Sequence, residues 1–566
     1  MEKRVFLAIL LSFVVLAVYQ AMFPPVQPVR PAVDEVATAP VDSAAPPTAA
    51  ASGTGAPAPA APAALVADAS ARDIVVETDA VRAVFTTAGA TLKSWQLKAY
   101  LEDGAPFDLL PADAPASVAR PFTVTTGDPA LSRTLATALY RPSADQLHLG
   151  SAAGQLTFEY RDESGLNVRK TFHFQPEGKP YLLRVEAAVD QGGASRPVTV
   201  SSGTGIGTGL AAGGFYHVPV RAVQHLAGDV DHLTAADLGD RSKFDGDIRF
   251  AGIDDQYFLF AVLPGSERVS VEYRAISMPA TAESEARALM AFDVSVPGPF
   301  ALSYYIGPKE FDTLRGVDER LQLVRAIDFG FLSPIVVPLL IALKWVHGLV
   351  GNWGWAIIVL TILINVLIFP LRHRSMVSMK KMQALQPEVK AIQERYAKYK
   401  VTDPERQKMN QEMMGLYKQK GVNPVAGCVP MLLTMPVLFA FYSMLSAAIE
   451  LRGAPFVGWI TDLSRHDPWY VTPVLMGLSM LWQQRMMPTT ADPIQQKVFL
   501  LMPVIFTVSF LWAPSGLVLY WFTSNLLAIG QQYFTNRTVA QPAAVPGRSA
   551  AARRLRSGRT GGTNQS

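Results

Sequence analysis

Apolar residues follow two regimes along this chain. Between about residues 72 and 308 they alternate with polar ones; beyond residue 330 they gather in long runs. In the first regime, QLTFEYRDESGLNVRKTFHF sets Leu156, Phe158 and Tyr160 on one face, turns at 163–165, and returns Phe172 and Phe174 on one face. That period of two predicts a β-hairpin. YLLRVEAAVD and RVSVEYRAI alternate in the same way. Many short strands with turn signals and no long helical stripe predict a two-sheet sandwich. Residues 312–326 read as a helix leading out of it.

In the second regime the runs approach the roughly 20 apolar residues that a membrane-crossing helix needs. Spans are predicted at 5–23, 355–370, 431–449, 471–482, 498–512 and 517–529, the last two parted by the turn sequence APSG. Lys3 and Arg4 precede the first run and no small-x-small cleavage site follows it, which predicts an uncleaved anchor with its N-terminus inside. Residues 24–71, dense in Pro and Ala, predict a semi-rigid disordered tether. The run SPIVVPLLIALKWVHGLV at 333–350 is left out of the count. Pro334 and Pro338 sit in its first turns, and Lys344, Trp345 and His347 interrupt its end. It predicts an amphipathic helix on the outer interface, with a re-entrant or buried helix as the alternative.

Charge then orients these spans. Residues 371–426 carry 12 Lys or Arg against 5 acids, a net charge of +7, and so strongly basic a loop is held on the cytoplasmic side. Counting 333–350 as a span puts that loop outside; six spans keep it inside and return the C-terminus to the cytoplasm. The tail 534–566 agrees, with six Arg and no acid. It reads either as a solubilising, orienting tail or as a contact for a polyanion such as the ribosome. Within the basic loop Met376, Met379, Met382, Leu385, Val389, Ile392 and Tyr396 recur at helical spacing, TDPE marks a turn, and Met409, Met413, Leu416 and Tyr417 form a second stripe. Two antiparallel helices are expected, their methionines serving mutual packing, an adaptable apolar surface, or both.

Candidate chemistry is sparse. A lone cysteine, Cys428, excludes an intramolecular disulfide and reads as a small buried hydrophobe. GTGLAA at 207–212 matches a loose dinucleotide fingerprint but lacks the βαβ setting, so it reads as a Gly-rich loop. His217, His225 and His232 are too loosely spaced for a helical metal site and read as solvent-exposed. With no P-loop and no Ser–His–Asp set, neither an enzyme nor a cofactor or metal is expected.

VHGLVGNWGWAIIVLT (346–361), QEMMGLYKQKGVNPVAGCVPMLLTMPV (411–437), ELRGAPFVGWITDLSRHDPWYVTPVLMG (450–477) and PVIFTVSFLWAPSGLVLYWFTSN (503–525) closely resemble the YidC family of membrane protein insertases. The resemblance covers about 329–533; the outer domain matches more weakly. It implies a polytopic α-helical membrane protein of six transmembrane helices with a five-helix insertase core, plus a large periplasmic β-supersandwich related in shape to sugar mutarotases without that activity. The core encloses a hydrophilic groove open to cytoplasm and lipid, and needs no ATP. The implied segments are an anchor 1–23, a tether 24–71, a periplasmic domain 72–326, an interfacial helix 327–353, the core 354–533 with its hairpin 371–426, and the tail 534–566.

The resemblance also implies site residues. Most members carry an Arg or Lys in the second span that attracts acidic substrate tails, and Asn365 stands there in this chain. Arg372 lies two turns on, with Arg374 near it. The expectation is that Arg372, with Arg374, supplies the charge from the cytoplasmic rim; the alternative is that both are ordinary positive-inside residues. Asn365 is expected to hold water and hydrogen-bond a passing chain. Thr361 matches a groove-lining position, and Leu438, Met476 and Trp521 match contacts to the substrate helix. Implied partners are nascent membrane proteins, the ribosome at the hairpin and tail, Sec translocon components and the lipid bilayer, but no DNA. Implied placement is the cell inner membrane, multi-pass, with both termini cytoplasmic. Two other readings make distinct demands: a secondary transporter needs intramembrane charged pairs and broken repeats, and a mutarotase-like sugar-binding protein needs a convergent His/Glu cluster in the outer domain.

Overall fold

The structure is a computed structural model that describes residues 63–538 except 103, 112, 115–117, 207–217, 240–241, 279–286, 400–402, 423–428 and 487–492. The expected anchor, most of the tether, the Gly-rich loop, His217, Cys428 and the tail beyond Thr538 lie outside the described residues. The chain divides into two compact units, one reaching Asp328 and including Ala447–Ile449, the other formed by the rest.

The first unit is β-rich, but its described strands pair into three sheets rather than two. One sheet has 11 strands and two have five each. The predicted hairpin is present as Gly154–Asp162 paired antiparallel with Leu166–Phe174. Leu156, Phe158, Phe172 and Phe174 are buried, as period-two alternation requires. An aromatic chain joins the sheets: Phe85 meets Phe172 at 4.6 Å, Phe122 meets Phe172 and Tyr304 at 5.5 and 5.2 Å, and Phe260 meets Phe292 at 5.4 Å. Trp95 adds a hydrogen bond from its indole to the Ile306 carbonyl at 3.0 Å. Helices are short here: α1 (Pro129–Thr137), α2 (Ala235–Leu238) and α3 (Phe311–Val317). The helix expected over 312–326 stops at Val317. Asp318 is extended and Gln322 left-handed (φ +53°), so only 3₁₀ turns Glu319–Leu321 and Leu323–Ala326 follow.

Two charged groups are built into this apolar interior. Lys170 shares the buried face of its strand with Val168 and Phe172, and its ammonium donates to the carbonyls of Gly89 (2.7 Å), Phe122 (3.1 Å) and Ala90 (3.4 Å). Ala90 and Phe122 are themselves left-handed, so the ammonium holds two strained turns. Burial pushes the Lys170 amine down to about 7. Asp254 is fully buried and takes Lys309 at 2.7 Å, Arg221 at 3.2 Å and His232 at 3.6 Å, while Arg221 also reaches Asp328 at 3.1 Å. Burial alone raises a carboxyl, but Lys309, His232 and Arg221 together hold this one well below the usual carboxylate range. Of the three histidines expected at the surface, the two described ones are not there. His225 is fully buried against Phe250 because its strand lies inside the large sheet, and His232 faces Asp254.

The second unit is helical: α4 (Ser333–Val350), α5 (Trp353–Ala384), α6 (Gln386–Arg395), α7 (Glu405–Gln419), α8 (Val429–Ala447), α9 (Val471–Met486), α10 (Pro493–Ser509) and α11 (Ser515–Thr538). Among the described residues, two helices are long and apolar enough to cross a membrane, Gly330–Val350 and Trp353–Ala384; Met435–Ala447 and Leu500–Trp512 are shorter apolar helices. Against expectation, α5 does not end at Pro370 but runs through it into the basic segment. The basic hairpin is therefore the end of α5 followed by α6 and α7, closed by Leu385, Val389, Ile392, Met409 and Val422, all buried. Met376, Met379 and Met382 stay half-buried. α5 packs along α11, α9 along α10 and α11, and α4 along α5.

Removing Lys309 tests the Asp254 knot. Lys309→Met leaves a buried carboxylate short of its closest cation and is expected to cost about 3–5 kcal/mol at neutral pH. In the wild type the folded-state carboxyl titrates below its unfolded value of about 3.9, so its contribution is complete above that value and lost only as pH falls through the folded one. In Lys309→Met burial dominates and the carboxyl takes up a proton more readily, so the thermal-unfolding gap between variant and wild type should narrow from pH 7 to pH 4.

Candidate functional site

Helix α5 starts where GNWGW forces it to. Gly351 adopts φ +70° and ends α4, and the Asn352 side chain caps α5 by accepting from the Trp355 amide at 3.1 Å. Asn352 Nδ2 also donates to the carbonyls of Pro455 (3.0 Å) and Phe456 (3.3 Å). Gly354 lies against the Phe456 ring, where any Cβ collides. Four turns of Ile, Val and Leu follow, broken by a polar stripe.

Along that stripe the structure brings three of the expected residues together. Thr361 is fully buried and its hydroxyl donates back to the Ile357 carbonyl at 2.6 Å. Asn365 Nδ2 donates to the Thr361 carbonyl at 2.8 Å and to Ser524 Oγ on α11 at 3.5 Å. Arg372 Nη1 donates to Asn365 Oδ1 at 2.8 Å. Residues seven apart lie on one helix face, so the guanidinium folds back along α5 toward the position where the family's cation was expected. Arg374 is exposed, two residues and roughly 200° further round the helix, and does not join the stripe.

α11 supplies the facing side. Tyr520 is buried and stacks on Phe441 at 4.1 Å, one turn before Ser524. Below it Gln531 Nε2 donates to the Phe369 carbonyl beside Pro370 at 3.2 Å. Thr535 takes His373 on its hydroxyl (3.1 Å) and Lys380 on its carbonyl (2.8 Å). Tyr520, Ser524, Gln531 and Thr535 recur at steps of four, seven and four residues, on one helix face. That spacing was the available signal, masked by the apolar residues between them.

The remaining expected residues lie on separate helices. Leu438 is half-exposed on α8. Met476 is fully buried on α9, and its carbonyl accepts from Ser479, whose hydroxyl takes Asn525 of α11 at 3.2 Å. Trp521, half-exposed on α11, packs on Phe506 and Phe510 at 5.5 and 5.0 Å.

One loop sets the start of α9 and α11. Asp467, fully buried, accepts from Trp459 Nε1, the Trp469 amide and both the amide and hydroxyl of Thr472, all at 2.8–2.9 Å. Burial pushes its carboxyl up, but these hydrogen bonds outweigh it and hold the group below its ordinary value. The same loop offers the carbonyls of Arg465 and Leu463 to the amides of Ser515 (2.8 Å) and Gly516 (2.9 Å).

In the first unit, the Asp254 group does bring a carboxylate and a histidine together, which the sequence did not display. Its carboxylate is fully buried and taken by cations on both oxygens, so it forms a structural knot rather than a sugar site. Among the described residues, no group of three or more His, Cys, Asp or Glu is placed to hold a metal.

Asp467→Asn gives up acceptor capacity on one oxygen and is expected to cost about 1–3 kcal/mol. It should lower the midpoint of thermal unfolding in detergent at pH 7; an unchanged midpoint removes the loop's organising role.

Comparison with known proteins agrees with this division. Residues 345–542 match the family model described as 60Kd inner membrane protein, and residues 73–342 match the YidC periplasmic domain. A membrane protein insertase YidC from Geotalea daltonii is 35% identical, covering 95% of this chain and 100% of its own length. One from Geobacter sulfurreducens is 37% identical, covering 82% and 86%. Among solved structures, an active YidC insertase with its first transmembrane domain resolved matches at 19% identity over 84% of this chain and 94% of that one, with a TM-score of 0.35. A galactose mutarotase-like protein from Lactobacillus casei matches at 11% identity over 42% and 100%, with a TM-score of 0.28.

Proposed function

The chain belongs to the YidC family of membrane protein insertases, and we propose that it works through the polar stripe between α5 and α11, with Arg372 as the cation that attracts acidic substrate tails. Insertion of proteins into the membrane follows from the family; the residues that carry it are our reading. The observation that supports it is the 2.8 Å hydrogen bond from Arg372 to Asn365. It puts the charge of one residue at the position of the other. A polar tail loses hydrogen-bond partners in hydrocarbon. A stripe of hydroxyls, amides and one guanidinium replaces them over part of the path, and the apolar segment then leaves into lipid. Leu438, Met476 and Trp521 guide that segment, and Thr361 and Asn365 line the stripe. Arg374 is assigned to orientation by positive charge rather than to the groove.

The scheme uses six spans, with α4 lying on the outer interface, both termini and the basic hairpin in the cytoplasm, and the segments 1–23, 24–71, 72–326, 327–353, 354–533 and 534–566 serving as anchor, tether, periplasmic domain, interfacial helix, core and tail. It uses neither catalysis nor a cofactor. Nascent membrane proteins come directly from the ribosome, met by the hairpin and tail, or from the Sec translocon.

The test is insertion into proteoliposomes of a single-span substrate with a short acidic tail, scored by protease protection. Arg372→Ala is expected to slow it about ten-fold or more, as the loss of a charged contact in a low-dielectric site implies. Adding Asn365→Arg to Arg372→Ala returns the cation one step up the same face and should restore most of the rate. Full activity of Arg372→Ala refutes the assignment.

A further inference from the structure

Resting on the membrane placement of the helical unit, though not on the role of Arg372, we propose that the end of the bundle built around loop 452–470 is an interaction surface for phospholipid. A collar of tryptophans there seats at the boundary between headgroups and acyl chains and fixes the depth at which α9 begins.

The chain has nine tryptophans, and six of them, Trp345, Trp353, Trp355, Trp459, Trp469 and Trp512, gather at this one end. Contacts between the elements that carry them bring them together. His347 of α4 stacks on Trp353, the first residue of α5, at 3.9 Å. Trp355 packs edge-on against Phe456 of the loop at 5.5 Å. Trp459 and Trp469 stack on each other at 5.2 Å, just before α9. Trp512 closes the 3₁₀ turn before α11, whose first amides donate to carbonyls of the loop. A protein core would bury such rings. Here Trp469 is 67% exposed, Trp345 64%, Trp512 61% and Trp355 50%.

The order of side chains along the helices identifies what covers them. The loop carries two Arg and two Asp, a net charge of zero. The collar comes next. From there α5 has no charged residue before Arg372 and α9 none before Arg485. Both expose apolar side chains along that stretch, Val366 and Leu367 on α5 and Val474 and Leu478 on α9. Charge, then amphipathic ring, then bare hydrocarbon is the order of headgroup, boundary and acyl chain. Tryptophan concentrates at that boundary because its ring is apolar and its N–H polar. A protein partner fits less well, because the exposed rings stand on four separate helix ends rather than on one face. The balanced charge of the loop makes zwitterionic lipid sufficient. Asp467 couples collar to helix: it accepts from Trp459 Nε1, from the Trp469 amide and from Thr472 in the first turn of α9. The depth of the rings is thereby passed to the start of α9.

The test uses the full-length protein in phosphatidylcholine vesicles whose acyl chains carry bromine either near the headgroup or near the chain end. Subtracting the tryptophan emission of Trp469→Phe from that of the wild type isolates one collar ring. That difference should be quenched by the shallow bromines, weakly by the deep ones and not by iodide in the water, with no change when anionic lipid is added. Quenching by iodide alone puts the loop in water and overturns the proposal. So does a difference that neither quencher reaches, which marks a ring covered by protein, a second copy included. Trp482→Phe and Trp521→Phe, treated in the same way, separate the two readings. If those rings are quenched by bromine and Trp469 is not, only the collar fails; if none is, the membrane placement fails with it. A second measurement reads depth. Val474→Cys is made in Cys428→Ser protein, and its reaction with a membrane-impermeant maleimide is followed. Trp469→Ala, which leaves the Trp459–Asp467 hydrogen bond in place, is expected to speed that reaction about five-fold, the factor that one aromatic contact is worth. Trp469→Tyr should hold the wild-type rate. Equal rates with Trp, Ala and Tyr at this position overturn the depth-setting role.

Discussion

A polar side chain on an otherwise apolar helix has to find its partner within the protein, on its own helix or on a neighbour, because the lipid offers none. That constraint organises the helical unit. Asn365 and Arg372 satisfy each other along α5, and Asn365 reaches across the helix pair to Ser524. Lower down, Gln531 and Thr535 of α11 serve the carbonyl and side chains of α5. Between α9 and α11 the Ser479–Asn525 contact does the same. The helices are thereby registered by their polar residues, while the Leu, Ile and Val between them are free to face either protein or lipid.

The β-rich unit obeys the same rule in a different solvent. Lys170 and Asp254 are each buried and each fully engaged, one by three carbonyls, the other by three cationic or titratable side chains. The two solutions differ in what breaks them. Carbonyls cannot be titrated away, so the Lys170 contacts change only if the ammonium loses its proton; the Asp254 group depends on charge at both ends. The second arrangement also ties Asp328, where the long segment of the unit ends, through Arg221 to the sheet interior.

Local pattern made the local structure legible. Alternation at Leu156, Phe158 and Tyr160 marked a strand, the stripe Leu385, Val389 and Ile392 marked a buried helix face, and APSG marked the break before α11. Pairing was not legible: Leu182–Gln191 lies beside Phe300–Pro308, more than a hundred residues on, and no residue in either strand names the other. The histidines were misplaced for the same reason, since whether Val223–His225 is central or peripheral depends on the strands on both sides. At the candidate site, Thr361, Asn365 and Arg372 were singled out by resemblance and spacing, and they lie on one stripe; Ser524, which meets Asn365, was not, because a span read for its mean apolarity hides its isolated polar residues. The course of α5 through Pro370 went against the ordinary rule that proline ends a helix. Flanking contacts supplied what the rule could not weigh.

Those contacts give the proline a mechanical meaning. Pro370 deletes one rung of the backbone ladder and makes that turn the softest in a rod about 48 Å long. The Arg372–Asn365 bond bridges the soft turn, one partner on either side. It is a strut as well as a charge. Bending the basic end of α5 opens or closes the angle that the strut spans, so the tilt of the basic hairpin and the position of the guanidinium are a single coordinate. A load on the hairpin is therefore felt at the guanidinium.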